Sequence, residues 1–194
     1  MKRFHWLLLF GGVTFMVVAC NRATPRSDQA LRPTATVKDI MDSVVDPSAD
    51  YLWDSVATIV SAAGVEERAP KTDKEWADVR KQAVQLVEAT NLLIMEGRRV
   101  AKPGEKAENP DVELGPEEIE TLINGDRQAW IGFAHALHDA AMVAFKATDA
   151  RNAQGLLDAG EGIDEACENC HLKYWYPASK QAESARQAAS VRKK

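Results

Sequence analysis

Apolar residues recur at helical spacing through most of the chain. Val37, Ile40, Met41, Val44 and Val45 stand three and four apart, and Ala49, Leu52, Trp53, Val56 and Val60 continue nearly the same register. Pro47 falls between the two sets, with Asp46 before it. Asp as an N-cap and Pro in a first turn predict two short helices, or one kinked helix, over 36–60. A loop over 64–71 should follow. Thr72-Asp73-Lys74-Glu75 then reads as a capping box. The helix it opens carries Trp76, Val79, Ala83, Leu86, Val87, Thr90 and Ile94 on one stripe and should run to about Val100. Residues 102–115 are polar, with two prolines and two glycines, and read as a loop. Pro116, Glu117 and Glu118 open a short helix to about Ile123, which Asn124 and Gly125 interrupt. Trp130, Phe133, Ala134, Leu137, Ala141, Ala144 and Thr148 form the next stripe. A last helix starts near Asn152, shows Leu156, Ile163, Cys167, Cys170 and Tyr174 on one face, and stops at Pro177. No segment alternates with period two for long. The prediction is an all-α chain in which four main helices bury their stripes as an antiparallel four-helix bundle.

The two ends break this pattern. Lys2 and Arg3 precede an apolar run, Trp6 to Ala19, too short to span a bilayer as a stable helix. A basic start, an apolar middle and a small residue at the end mark a secretory signal. Val17-Val18-Ala19-Cys20 resembles the lipobox of bacterial lipoproteins, with Val17 where Leu is usual. That likeness implies cleavage before Cys20 and lipidation of Cys20. Asn21 in place of Asp implies the outer membrane, facing the periplasm, by likeness to other lipoproteins. Four segments follow: a lipoprotein signal peptide over 1–19, an anchor linker over 20–35, the helical domain over 36–177, and a polar, basic tail over 178–194. Without Lys2 and Arg3, 22 basic residues face 29 acidic ones, a net charge of −7. Such a balance argues against nucleic acid as a partner.

Chemistry concentrates in one place. Of the three cysteines, one is Cys20 and two stand in Cys167-Glu168-Asn169-Cys170-His171. Cys-x-x-Cys-His is the attachment signature of c-type haem. Each thiol adds across one vinyl group of the porphyrin, and the adjacent imidazole ligates the iron. On a helix, Cys167 with Cys170 and Cys167 with His171 are spaced i,i+3 and i,i+4, so all three project from one face. That face is the apolar stripe of the last helix. Other uses of the residues fit less well. A thioredoxin-like pair calls for a βαβ setting. A zinc site needs a fourth ligand. A disulfide accounts for neither His171 nor the apolar face.

With this motif late in a chain of four helices, the sequence resembles the class II cytochromes c, the cytochrome c-prime family. The likeness covers about residues 36–176 and rests on the motif through Trp175, its position, the helix count and Met41 on the first helix. It implies one haem c, held by Cys167 and Cys170 on the C-terminal helix of a bundle, with His171 as proximal ligand. The insert 102–125 and Pro47 depart from the compact family pattern. In this family the sixth iron position decides the task. A methionine ligand from the first helix gives a low-spin electron carrier, and Met41 is the candidate, although methionine is also common core filler. An open distal face gives a five-coordinate protein that binds small gases such as NO or CO.

Other residues bear on the same site. His135 and His138 lie toward the flank of their helix, and Met95 and Met142 read as packing. Trp53, Trp76 and Trp130 all belong to core stripes, and Trp130 is taken as haem-lining. Lys38 is a weak candidate for a haem propionate. Tyr174, with Lys173, Trp175 and Tyr176 beside it, is expected to cap an exposed haem edge. No paired carboxylates, nucleophile with base, or phosphate loop argues for an enzyme. The expected function is a periplasmic, lipid-anchored monohaem cytochrome carrying single electrons by Fe(III)/Fe(II). Redox proteins would be its partners, and a homodimer is compatible with the sequence. Gas binding at an open site is the alternative, and a redox-inert Cys/His module a third reading.

Overall fold

The computed structural model describes residues 31–181, and these are mostly helical. The signal segment, Cys20, most of the linker and nearly all of the tail lie outside the described residues. Over 37–174 of the described residues, six α-helices, one π segment and one hairpin follow in order. They are α1 (Val37–Ile40), the π segment (Met41–Val45), α2 (Asp46–Ser55), β1 (Ala57–Ser61), β2 (Gly64–Arg68), α3 (Asp73–Leu93), α4 (Pro116–Gly125), α5 (Arg127–Asp149) and α6 (Ala153–Tyr174). None of the described helices is long and apolar enough to cross a membrane.

The first helical stretch is one helix with a widened turn, not two separate helices. It runs from Val37 to Ser55 without a break. Asp46 keeps helical angles, φ −60° and ψ −50°, so it does not cap a new helix. Its N–H donates to the carbonyl of Met41, five residues back. Pro47 accounts for the widened turn. A proline ring clashes with the carbonyl four residues earlier and donates no hydrogen bond, and a π turn relieves that crowding without ending the helix. The start is fixed by Thr36, whose Oγ1 accepts from the Asp39 N–H at 3.0 Å while its own N–H donates to Asp39 Oδ2 at 3.0 Å.

Residues 57–68 are also a correction. The helical register was expected to reach Val60, yet Val56 turns extended, φ −136° and ψ 134°. An antiparallel hairpin follows, with Val60 paired to Val65 and Ser61 to Gly64. Thr58, Ile59 and Val60 are β-branched and favour strand once the helix has ended. Gly64, at φ +128°, supplies a backbone conformation that a side chain would strain. The hairpin stands almost wholly exposed.

The longer helices form as their stripes predict. Trp76, Val79, Ala83, Leu86, Val87 and Thr90 of α3 are buried, as are Trp130, Ala134, Leu137, Ala141, Ala144 and Thr148 of α5. The Thr72–Glu75 capping box is present. α3 stops at Leu93 rather than near Val100, and α6 ends at Tyr174, before Pro177. Helix α3 packs on α5, α5 on α6, and α2 on both α3 and α6. Gly160 permits the last of these contacts, because a Cβ there would lie 3.0 Å from the Trp53 ring. Trp53 Nε1 donates to the Gly160 carbonyl at 3.2 Å.

The insert between α3 and α4 is anchored at both ends. The N–H groups of Val37 and Lys38 donate to the carbonyls of Arg99 and Val100, and the Leu114 N–H donates to the carbonyl of Trp175 at 2.8 Å. The loop is therefore laid across the start of α1 and the end of α6.

Candidate functional site

Those ties enclose a cavity. It holds about 850 Å³ of empty space, its mouth included, and adjoins a second of about 400 Å³. Met41, Asp46, Trp130, Cys170 and His171 line both. Cys167 lines the smaller, Tyr174 the larger. The six residues on which the sequence reading centres thus line these two cavities: Met41 from the π segment, Trp130 from α5, and Cys167, Cys170, His171 and Tyr174 from α6.

The motif is helical throughout, inside α6, as its spacing predicts. Its electrostatics follow from burial. Burial, with the negative charges of Asp46 and Asp164, pushes the Cys167 thiol up to about 11. Burial first, and the neighbouring Cys167, push Cys170 up to about 12. Burial holds His171 below its ordinary value, against the raising effect of Glu168. The site therefore presents two neutral thiols and a neutral imidazole with a free lone pair. A thiolate redox pair needs the opposite shift in the thiols. Among the described residues, no three His, Cys, Asp or Glu side chains converge as a metal cage.

The wall around the motif is aromatic. Tyr174 meets Trp130 edge-on at 5.4 Å and Phe133 at 5.8 Å. Trp130 Nε1 donates to the Leu93 carbonyl at 3.0 Å, which fixes the indole between α3 and α6. Tyr174 is 3 % exposed, so it is part of the wall and not the cap of an open edge. Its hydroxyl is buried without a hydrogen-bond partner. A buried hydroxyl left unpaired costs about 1–3 kcal/mol. The exposed positions expected of the group fall to Trp175, edge-on to His171 at 4.9 Å, and to half-buried Tyr176, whose hydroxyl donates to Glu168 Oε2 at 2.5 Å.

The remaining candidates sort cleanly. Lys38 lines the cavity but is held by Glu108 at 2.9 Å and Asp42 at 3.4 Å. Lys173 lies over the Phe133 and Tyr174 rings, 3.7 Å from Asp126. His135 is exposed, and His138 contacts Asp139 at 3.3 Å. The Met95 sulfur accepts from Arg98 Nη2 at 3.1 Å, and Met142 packs on the core. Neither histidine, neither of these methionines, nor Trp53 or Trp76 lines the cavity.

Sequence reasoning missed the rest of the wall. Asp46 had been read as a cap. Lys106, Glu108, Glu113 and Leu114 come from the polar insert, where no periodicity marks an inward face. The two thiols and the imidazole fit covalently held haem: thiols for its vinyl groups and a ligand for its iron.

No family model matches the chain, and no curated protein matches it. One solved structure is similar, the nitric oxide complex of a mutant cytochrome c prime from Alcaligenes xylosoxidans. The identity is 16%, over 74% of this chain and 98% of that one, with a TM-score of 0.45.

Proposed function

We propose that this chain is a monohaem c-type cytochrome of the c-prime kind, built on a four-helix bundle and carrying single electrons. The observation that carries the reading is the meeting of Met41 with Cys167, Cys170 and His171 on one cavity. When bound, haem supplies the one-electron Fe(III)/Fe(II) couple, and the protein supplies ligation, burial and an edge. Cys167 and Cys170 would hold it covalently, with His171 as proximal ligand and Met41 as distal ligand. Trp130 and Tyr174 would pack against it. Burial keeps the His171 imidazole neutral and able to donate its lone pair. The Val17–Cys20 stretch supports lipidation at Cys20 and a place on the periplasmic side of the outer membrane. Redox proteins within reach of that surface would be its partners.

An absorption spectrum tests this, taken oxidised, reduced, and reduced under CO, on protein made with a haem-attachment system. Low-spin bands unchanged by CO support the electron carrier. A high-spin ferrous spectrum shifted by CO transfers the reading to gas binding at an open site. Absence of haem bands overturns both.

A further inference from the structure

Asp46 stands out among the cavity residues. It lines both cavities with Met41, His171 and Cys170. Every other acidic residue on the larger cavity is tied to a partner or sits on its rim: Asp42 and Glu108 hold Lys38, and Glu113 accepts from the Asn109 N–H. Asp46 alone lines the smaller cavity as an acid.

Its position depends on the π turn. In an α-helix, residues five apart diverge by about 140° around the axis. A π turn brings i and i+5 over one another, and the Asp46 N–H bond to the Met41 carbonyl is that contact. Pro47 thus brings a carboxylate into line with Met41 on the wall facing α6. The placement has a cost. Asp42, Asp46 and Asp50 stand at four-residue intervals, a repulsive arrangement on a helix. Lys38 is the single cation acting on Asp46, while Asp42 and Asp50 repel it on its own helix and Cys167 faces it from α6. Burial first, then those two acids, raise its carboxyl above the ordinary value.

We propose that Asp46 sets the reduction equilibrium of the group held in this cavity, its negative charge favouring the oxidised, more positive state. This rests on the haem reading above. When the site gains one electron from a one-electron donor, no bond forms or breaks and its net charge falls by one. A fixed negative charge on the wall opposes that change, in proportion to how little water screens it. Asp46 acts here as a positioning charge and ligates nothing.

The test is a redox titration with small mediators at pH 8, on holoprotein carrying Asp46→Asn or the control Asp50→Asn, a residue exposed like Asp46 that lines neither cavity. Asp46→Asn should move the oxidised/reduced ratio at fixed potential about threefold toward reduced, an upward shift of about 28 mV for one electron, the size expected of a charge that water partly screens. The axial-ligand bands should stay unchanged. Both carboxylates reach solvent, so in about 1 M salt, where the Debye length is about 3 Å, both shifts should shrink. Asp46→Glu, which keeps the charge, should hold the wild-type ratio and guards against a folding artefact. Equal shifts for Asp46→Asn and Asp50→Asn, or none for the former, overturn the inference and leave the haem reading standing. Wild-type protein without haem bands overturns both.

Discussion

The N–H of Asp46 donates to the carbonyl of Met41 across five residues, one more than an α-helix allows. That single widened turn decides which side chains of the first helix reach the cavity. Removing one residue from a turn rotates all that follows by about 100°. Pro47→Ala restores a donor and removes the ring, so the segment should relax to α-helix. Met41 and Asp46 then no longer share a face. The expected result is unchanged or slightly higher helicity by circular dichroism and a loss of roughly 2 kcal/mol or more in urea unfolding, because the rotation takes either Ile40 or Leu52 off the buried face. The holoprotein should lose methionine ligation, seen as a shift toward high spin. A variant that keeps its low-spin spectrum would show that the π turn is not what presents Met41.

Met41 itself is half-buried against the core, which fits either ligand or filler. Met41→Ala separates them. Filler alone predicts a loss of roughly 2 kcal/mol in urea unfolding, the low end for a truncated methionine, with no spectral change. A ligand predicts, in addition, a high-spin ferrous form that binds CO. Measuring unfolding on the apoprotein and spectra on the holoprotein keeps the two effects apart.

How much of this was legible beforehand follows from the kind of signal each residue carries. The stripes of α3, α5 and α6 were readable because a buried helix face repeats every three or four residues, and Trp76 through Thr90 do so without a gap. The motif was readable because its chemistry fixes its spacing. Asp46-Pro47 misled, since the same pair starts a helix or widens one, and only the packing of α2 on α3 and α6 keeps the helix going. The hairpin was missed because Val56 and Val60 sit in helical register with Leu52 and Trp53, while their β-branched neighbours point to strand. The cavity's outer wall was unreadable for a different reason. Leu114 is placed by its backbone bond to Trp175, and nothing in a polar loop announces a backbone bond.

The thiols give an alkaline prediction for the apoprotein. Cys167 at about 11 and Cys170 at about 12 stand above the ordinary thiol value of 9.0. Tyr176 is likewise pushed up to about 12, by burial first and then by its bond to Glu168. Between about pH 9 and 11 the unfolded thiols have lost their protons and the native ones have kept them. The native state then binds more protons, so stability must fall as pH rises through that window. Urea midpoints of the apoprotein should decline from pH 9 upward. Iodoacetamide at pH 8 should label both cysteines far more slowly in native than in unfolded protein, since the thiolate is the nucleophile. Equal labelling rates would show that the thiols are not shielded in the cavity.

Tyr174 offers the sharpest contrast between apo and holo forms. Its ring is fixed by Trp130 and Phe133, while its hydroxyl is buried and unpaired. Phe keeps the ring contacts and removes the orphan. In the apoprotein, Tyr174→Phe should therefore be neutral or stabilising, by up to ~1–3 kcal/mol, the cost of an unsatisfied buried polar group. In the holoprotein the sign should reverse if the occupant of the cavity accepts from that hydroxyl, because the variant then forfeits a bond worth about 1 kcal/mol. Urea unfolding of both proteins in both forms gives the four numbers required. A variant destabilised equally with and without haem would mean that the hydroxyl is satisfied within the protein, and Tyr174 would count as packing for Trp130 alone.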